Sequence, residues 1–470
     1  MTFRAIETKD ELVAALTEAA KLEHLFMGQY LFAALSLKKS PDERCDAAQF
    51  EHVRRWAQRL YAIARQEMEH LSIVNSVLTA IGAAPYFGHP GYPGRTVYFS
   101  PAAQRERHGD ALDAGLEPCE IPFLLERFSL RTARRFTCME SPPLRELSGI
   151  ERAEVVHWGF HGADRGCDFI VPPLPPLAAP PDDIEVGTIE QLYTSIVEGL
   201  LLLRERLGEQ ALFSGHDSGQ AELPSEYQIF LFTIVDTRSA VAALQLVMQQ
   251  GEGLNAPPGF DSHFLNYDQI AREFAELRLA SPHFEPSLPL APNPTLDSYT
   301  DPDAHSAAAL FNDGYATLLL MLTGYYGLFD PATFNKKPSY LTAALEYNAF
   351  APMMTMFVRT LGEILTGLPA RSPADGLRAA PVFNLEPAVQ ALLATRPTPD
   401  NFYGRPGFYA ERLQRLVVGI ERLAASPTLP PAAATRFEFM RQNISRLAAN
   451  FNNIDDVGIY KPWAPSQETT

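Results

Sequence analysis

Glu67 and His70, in the segment EMEH, stand three residues apart, so on a helix both project from one face and can reach a shared ion. A Glu-x-x-His spacing alone is common on surface helices; the apolar seam around this one gives it weight. Glu67 belongs to the series Val53, Ala57, Leu60, Ala64, Glu67, Leu71, Val74, Leu78 and Ile81, whose steps alternate between four and three. Glu23 holds the same kind of position among Leu12, Leu16, Ala19, Phe26, Tyr30, Ala33 and Leu37. Glu198 and Glu252 lie on later helical stretches, with Glu190 as a substitute for Glu198. His263 shares an apolar face with Tyr267, Ile270, Phe274 and Leu277. Four glutamates and two histidines from the helices of one bundle form a ligand set for two metal ions, with Glu252 and His263 as a Glu/His pair split by a loop.

The chemistry follows from cost. Buried carboxylates without counter-ions each cost several kcal/mol, against a whole-protein stability of roughly 5 to 15 kcal/mol, and divalent ions remove that conflict. Oxygen and imidazole donors suit Fe, Mn or Zn, with iron favoured on chemical grounds. Bundle symmetry predicts Glu67 and Glu252 as bridging ligands, Glu23 and Glu198 as terminal ligands, and His70 and His263 as one imidazole per metal. The alternatives are structural: a seam carboxylate can pair with arginine at a bundle end, Gly251 and Gly253 can simply end a helix around Glu252, and His263 can serve near a cap. Tyr30 reads as a packed core tyrosine.

These residues need helices to hold them. The periodicity predicts helices over about 9–38, entered through Thr8, and 47–82, ended by Gly82 and Pro85. From 83 to 187 the pattern is poor apart from a helix near 121–138, and the stretch closes on the Pro-rich VPPLPPLAAPPDD, so it reads as a long crossover covering the bundle. A third helix is predicted at 188–207, a fourth at about 226–250, and a further one after Asp261 and Ser262. Apolar stretches at 303–328 and 338–367 predict a second helical pair, followed by amphipathic stretches at 407–425 and 431–449. The expected division is a bundle with its crossover over 1–285, a helical pair packed on it over 286–375, and a helical extension over 376–470.

Bulk properties bound the rest. A chain of 470 residues exceeds what one hydrophobic core supports, and 46% hydrophobic content supplies several. With 56 acidic against 39 basic residues the net charge is -17, which disfavours nucleic acid and anionic membranes as partners. Cys45, Cys119, Cys138 and Cys167 form no CxxC pair and read as reduced packing thiols, which fits the cytoplasm. No secretion signal or membrane-spanning run is predicted. The expected partner is a small-molecule substrate, and a homo-oligomer is compatible with the pattern.

The blocks LEHLFMGQYLFAALSL, EMEHLSIVNSVLTAIGAAP, PFLLERFSLRTARRFTCMESPP, IVDTRSAVAALQLVMQQGEGL and DSHF together resemble the ferritin-like domain of the iminophenyl-pyruvate dimer synthase family, which includes the violacein-pathway enzyme. The resemblance covers about residues 10–280, extended by AFAPMMTMFVRTLGEILTGLP. It implies a mainly α fold, a ferritin-like four-helix bundle with a long crossover between helices two and three and an additional C-terminal helical region. It also points to Glu23, Glu67, His70, Glu198, Glu252 and His263 as matching positions. The expected function is a dimetal-carboxylate, di-iron oxidoreductase that uses O2 or peroxide on a small organic substrate, which an amino-acid derivative would fit. Coupling of amino-acid-derived imines, nonenzymatic metal storage and a metal-free scaffold are the competing readings. Family members of that kind are considerably longer, and shared fold does not establish shared substrate.

Overall fold

In the computed structural model the described residues are 5–108, 115–161, 169, 188–215, 220, 231, 233–252, 262–328 and 340–457. The chain divides into two compact units: Met1–Ile81, His89–Ser214 and Leu223–Asn293 form one, and Gly82–Gly88, Gly215–Glu222 and Pro294–Thr470 the other. Residues 294–375 and the extension beyond 376 fall in one of these units.

Helices carry the described part of the first unit, joined by long irregular segments. Helix α1 (Lys9–Ser36) starts from a reciprocal cap in which Thr8 accepts from the Glu11 backbone and the Glu11 carboxylate accepts from Thr8. Helix α2 (Ala47–Ala80) starts the same way from Asp46 and Gln49. The seam expected on α1 widens in its second half, where every residue from Leu22 to Leu37 except Leu31 is buried. Such a helix needs partners all round. One is α2; another is the crossover, from which the Tyr92 hydroxyl donates to the Leu25 carbonyl at 2.7 Å. Gly28 permits that approach, since a Cβ there would stand 2.2 Å from the Tyr92 oxygen.

The crossover supplies α3 (Pro101–His108), α4 (Leu130–Glu140) and α5 (Gly149–Gly159), with a short antiparallel pairing of Glu117–Pro118 against Phe160–His161. The helix expected at 121–138 begins later, because Ser129 caps it by accepting from the Thr132 backbone. Then follow α6 (Ile189–Leu207), capped by Thr188, α7 (Glu209–Leu212), α8 (Thr237–Glu252) and α9 (His263–Ala280), capped by Ser262. Helices α4 and α9 lie together beside α1 and α2, tied by Trp56, which stacks on Phe274 at 5.2 Å, with Phe128 and Phe284 around them. Trp56 is fully buried and its indole donates to Glu273 at 2.8 Å, so the ring's polar edge is satisfied.

In the second unit α10 (Pro302–Gly327) is capped by Asp301 and buried along most of its length. Around it are α11 (Tyr340–Asn348), a π-helix over Ala349–Arg359 that runs into α12 (Thr360–Leu365), α13 (Pro387–Leu393), α14 (Pro406–Ala424) and α15 (Pro431–Val457). The π-helix seats Phe357 against Gly314 of α10. Arg436 of α15 reaches Glu363 of α12 at 2.6 Å.

Cys119 is disulfide-bonded, which corrects the expectation of four reduced thiols; Cys45 and Cys138 are free and buried. A bridge needs sulfurs close in space, and a CxxC spacing is only one way to bring them there. Among the described residues no helix is long and apolar enough to cross a membrane.

Candidate metal centre

Glu67 sits at the middle of a buried cluster. One of its oxygens, Oε2, is 3.3 Å from His70 Nδ1, and the other, Oε1, is 3.0 Å from His263 Nδ1. His70 Nδ1 is also 3.3 Å from Glu23 Oε2, and His263 Nδ1 is 3.7 Å from Glu140 Oε2. Two groups of three potential ligands result, Glu23, Glu67 and His70 on one side and Glu67, Glu140 and His263 on the other. All five residues are at most 6% exposed. The two imidazoles lie nearly parallel with their ring centres 5.5 Å apart.

Helix geometry explains the placement. Glu67 and His70 share one face of α2, and Glu23 lies on the α1 face turned toward α2. Glu140 is the last residue of α4 and His263 the first of α9, so the ends of two helices close the second side. Each outer carboxylate is held by a tyrosine: Tyr193 of α6 donates to Glu23 Oε1, and Tyr30 of α1 donates to Glu140 Oε1. Each imidazole is backed by a glutamine, with His70 Nε2 2.7 Å from Gln250 Oε1 and His263 Nε2 3.2 Å from Gln66 Oε1.

Without metal, protons must balance the charge. Burial pushes the Glu23 carboxyl up to about 7, with His70 opposing the rise. Burial acts on Glu67 in the same sense, but the attraction of His263 and His70 prevails and holds it well below the usual carboxylate range. For His263 burial favours the neutral ring, yet Glu67 and Glu140 together lift it to about 9; His70 rises for the same reason, through Glu23 and Glu67. Burial, reinforced by the neighbouring carboxylates, also drives Tyr30, Tyr193 and Tyr267 well above their ordinary value. The site is therefore a cluster of acids whose charge is met by protonated imidazoles when nothing else meets it.

The donor set fits two oxygen- and nitrogen-loving divalent ions. One atom makes the fit specific: His263 Nδ1 is buried, faces two carboxylates, and among the described residues makes no hydrogen bond of good geometry. A buried ring nitrogen aimed at carboxylates suits a shared cation better than a direct bond.

Four of the six expected ligands, Glu23, Glu67, His70 and His263, are brought together here. Glu198 is not: it is exposed on α6. The buried stripe of α6 runs through Leu192, Tyr193, Ile196, Gly199, Leu200 and Leu203, and Gly199 packs so closely on Ile6 that its neighbour Glu198 turns outward. Glu190, its substitute, is half-buried and belongs to neither group. What α6 contributes is Tyr193. Glu252 ends α8, and its side chain lies outside the described residues.

Glu140 is not among the expected ligands, because the sequence pattern marks the crossover as cover and ends its helix at 138. A signal was present: Ala133, Phe136, Thr137 and Glu140 keep the three-and-four spacing, and all four are buried. Tyr30, expected as a packed core residue, is packed on Phe136 and Tyr267 and also bonds Glu140.

Comparisons place the chain among known proteins. The family model described as Ferritin-like matches residues 16–272. Dichlorochromopyrrolate synthase of Lentzea aerocolonigenes is 28% identical over 420 residues, covering 81% of this chain and 36% of the relative. The 2-imino-3-(indol-3-yl)propanoate dimerase of Chromobacterium violaceum is 26% identical over 467 residues, covering 94% of this chain and 40% of the relative. The chain thus spans well under half the length of these relatives. A crystal structure of a ferritin-like protein from Caulobacter vibrioides aligns with a TM-score of 0.44 and 18% identity, over 73% of this chain and 94% of that one.

Proposed function

Because the chain belongs to the ferritin-like family, we propose that its first unit is a dimetal-carboxylate oxidoreductase, most suited to two iron ions, acting with O2 or peroxide on a small organic substrate. The observation that carries this reading is Glu67, whose two oxygens face two separate imidazoles and can serve two ions at once. Glu23 and His70 would complete one ion's ligands, and Glu140 and His263 the other's. Bound metal would supply one-electron redox change and a place for oxygen. The chain's own residues fix the geometry. Tyr193 and Tyr30 hold one oxygen of Glu23 and Glu140, leaving the second free to bind, and the enclosing helices exclude water.

Glu252, at the end of α8, stays in this proposal as a candidate ligand, beside Gly251, whose Cβ position would lie 3.7 Å from Glu140 Oε2. Coupling of amino-acid-derived imines is the second reading. It is favoured by the names of the two curated relatives, both of which are much longer chains.

Metal analysis of chain purified without chelators, followed by anaerobic iron loading, tests the site: two tightly bound equivalents are expected, and fewer than about one would refute it. In the loaded protein, O2 uptake dependent on an added organic substrate supports the oxidase. Accumulation of many ferric ions per chain would point to storage instead. Incubation with indole-3-pyruvate imine and analysis for coupled product tests the second reading.

A further inference from the structure

We propose that Gln250 is a positioning residue that commits His70 to bind metal through Nδ1, an inference that rests on the dimetal reading above. An amide has one end that donates and one that accepts, and the surroundings of Gln250 decide which faces where. Gln250 Nε2 lies 3.2 Å from Glu69 Oε1, and a carboxylate oxygen accepts, so the donating end of the amide belongs to Glu69. The accepting end is then the one 2.7 Å from His70 Nε2. An amide oxygen cannot donate, so His70 Nε2 must carry the hydrogen. A neutral imidazole has only one, which leaves the lone pair on Nδ1, the nitrogen 3.3 Å from both Glu23 and Glu67.

Glu69, Gln250 and His70 therefore form a directed relay in which the orientation of one carboxylate on α2 selects the ligating atom of another residue on the same helix, by way of α8. The two α2 residues are neighbours in sequence, yet on a helix they point apart, and Gln250 connects them. His263 has a simpler counterpart: Gln66 Oε1 faces its Nε2 at 3.2 Å. A neutral amide orients the ring without placing a full negative charge behind it. The imidazole is therefore a weaker donor than one backed by a carboxylate, which leaves the ion more electron-poor.

The test uses the full chain and Co(II) as the probe. Wild type is expected to bind two equivalents. Gln250→Leu, matched in size and unable to accept, should weaken one equivalent by about 10- to 100-fold and leave the other unchanged, while Gln66→Leu should weaken the other. Nitrogen-15 histidine spectra of the Zn(II)-loaded wild type should show His70 with its hydrogen on Nε2. Thermal melts establish that each variant is folded.

Two equivalents in wild type with unchanged affinities in Gln250→Leu, or ligation of His70 through Nε2, would each overturn the inference while leaving the dimetal site standing. A wild-type chain that takes up no cobalt refutes the site itself, and the inference with it.

Discussion

Glu67 and His263 meet at 3.0 Å across the interface of α2 and α9, although 196 positions separate them in the chain, counting from 67 to 263. Because the other oxygen of the same carboxylate faces His70, Glu67 is common to both halves of the site, and the outer residues are not.

That asymmetry gives a graded outcome. Glu67→Ala should abolish tight binding of both metal equivalents, whereas Glu23→Ala should remove one and spare the other. Titration with Co(II) under competition from a chelator measures this, and loss of a single equivalent in Glu67→Ala would disprove a shared carboxylate.

Glu140 and Glu198 offer a direct contrast. Glu140→Ala should weaken the His263 side by at least tenfold and leave Tyr30 without its acceptor. Glu198→Ala, at an exposed position, should leave metal content unaltered and stability within about 0.5 kcal/mol of wild type. Metal analysis and denaturant titration of the two variants, side by side, check both statements; the reverse ranking would return Glu198 to the site.

His108 sets a pH dependence of its own. Burial, with the adjacent Arg107 charge acting in the same direction, pushes its imidazole down to about 2, and its Nδ1 accepts from the Leu144 backbone at 3.2 Å. The unfolded chain takes up a proton at about 6.5 that the folded chain refuses. This contribution to stability is therefore complete above about pH 6.5 and is lost as pH falls, at roughly 1.4 kcal/mol per pH unit. His108→Gln should make the stability profile between pH 6.5 and 4 shallower by about that slope. An unchanged slope in urea titrations across that range would contradict the assignment.

Gly314 of α10 lies under the buried ring of Phe357, where an added Cβ would stand 1.8 Å from a ring carbon. Alanine in a helix gains up to about 1 kcal/mol over glycine, but overpacking costs about 1 to 3 kcal/mol, so the overlap wins. Gly314→Ala should lower the unfolding midpoint. A raised midpoint would show that the π-helix gives way easily.

The sequence by itself determined where several helices run and which polar residues they bury. Four-and-three spacing marks α1, α2 and α9, Thr8 and Ser262 mark the starts of α1 and α9, and a carboxylate or imidazole inside an apolar stripe marks Glu23, Glu67, His70 and His263 as buried acids and bases. These are local properties, set by a residue's neighbours within a turn or two. Tertiary structure alone decided which helices meet. A rotation of about 100° per residue separates Glu198 from the buried stripe of α6, and periodicity does not say which stripe a partner will cover. The helix that closes the cluster is α4, whose Glu140 arrives from within the crossover, while α6 and α8 bring Tyr193 and Gln250 against Glu23 and His70. Which acid faces which imidazole depends on packing between segments far apart in the chain, and no spacing within one helix encodes it.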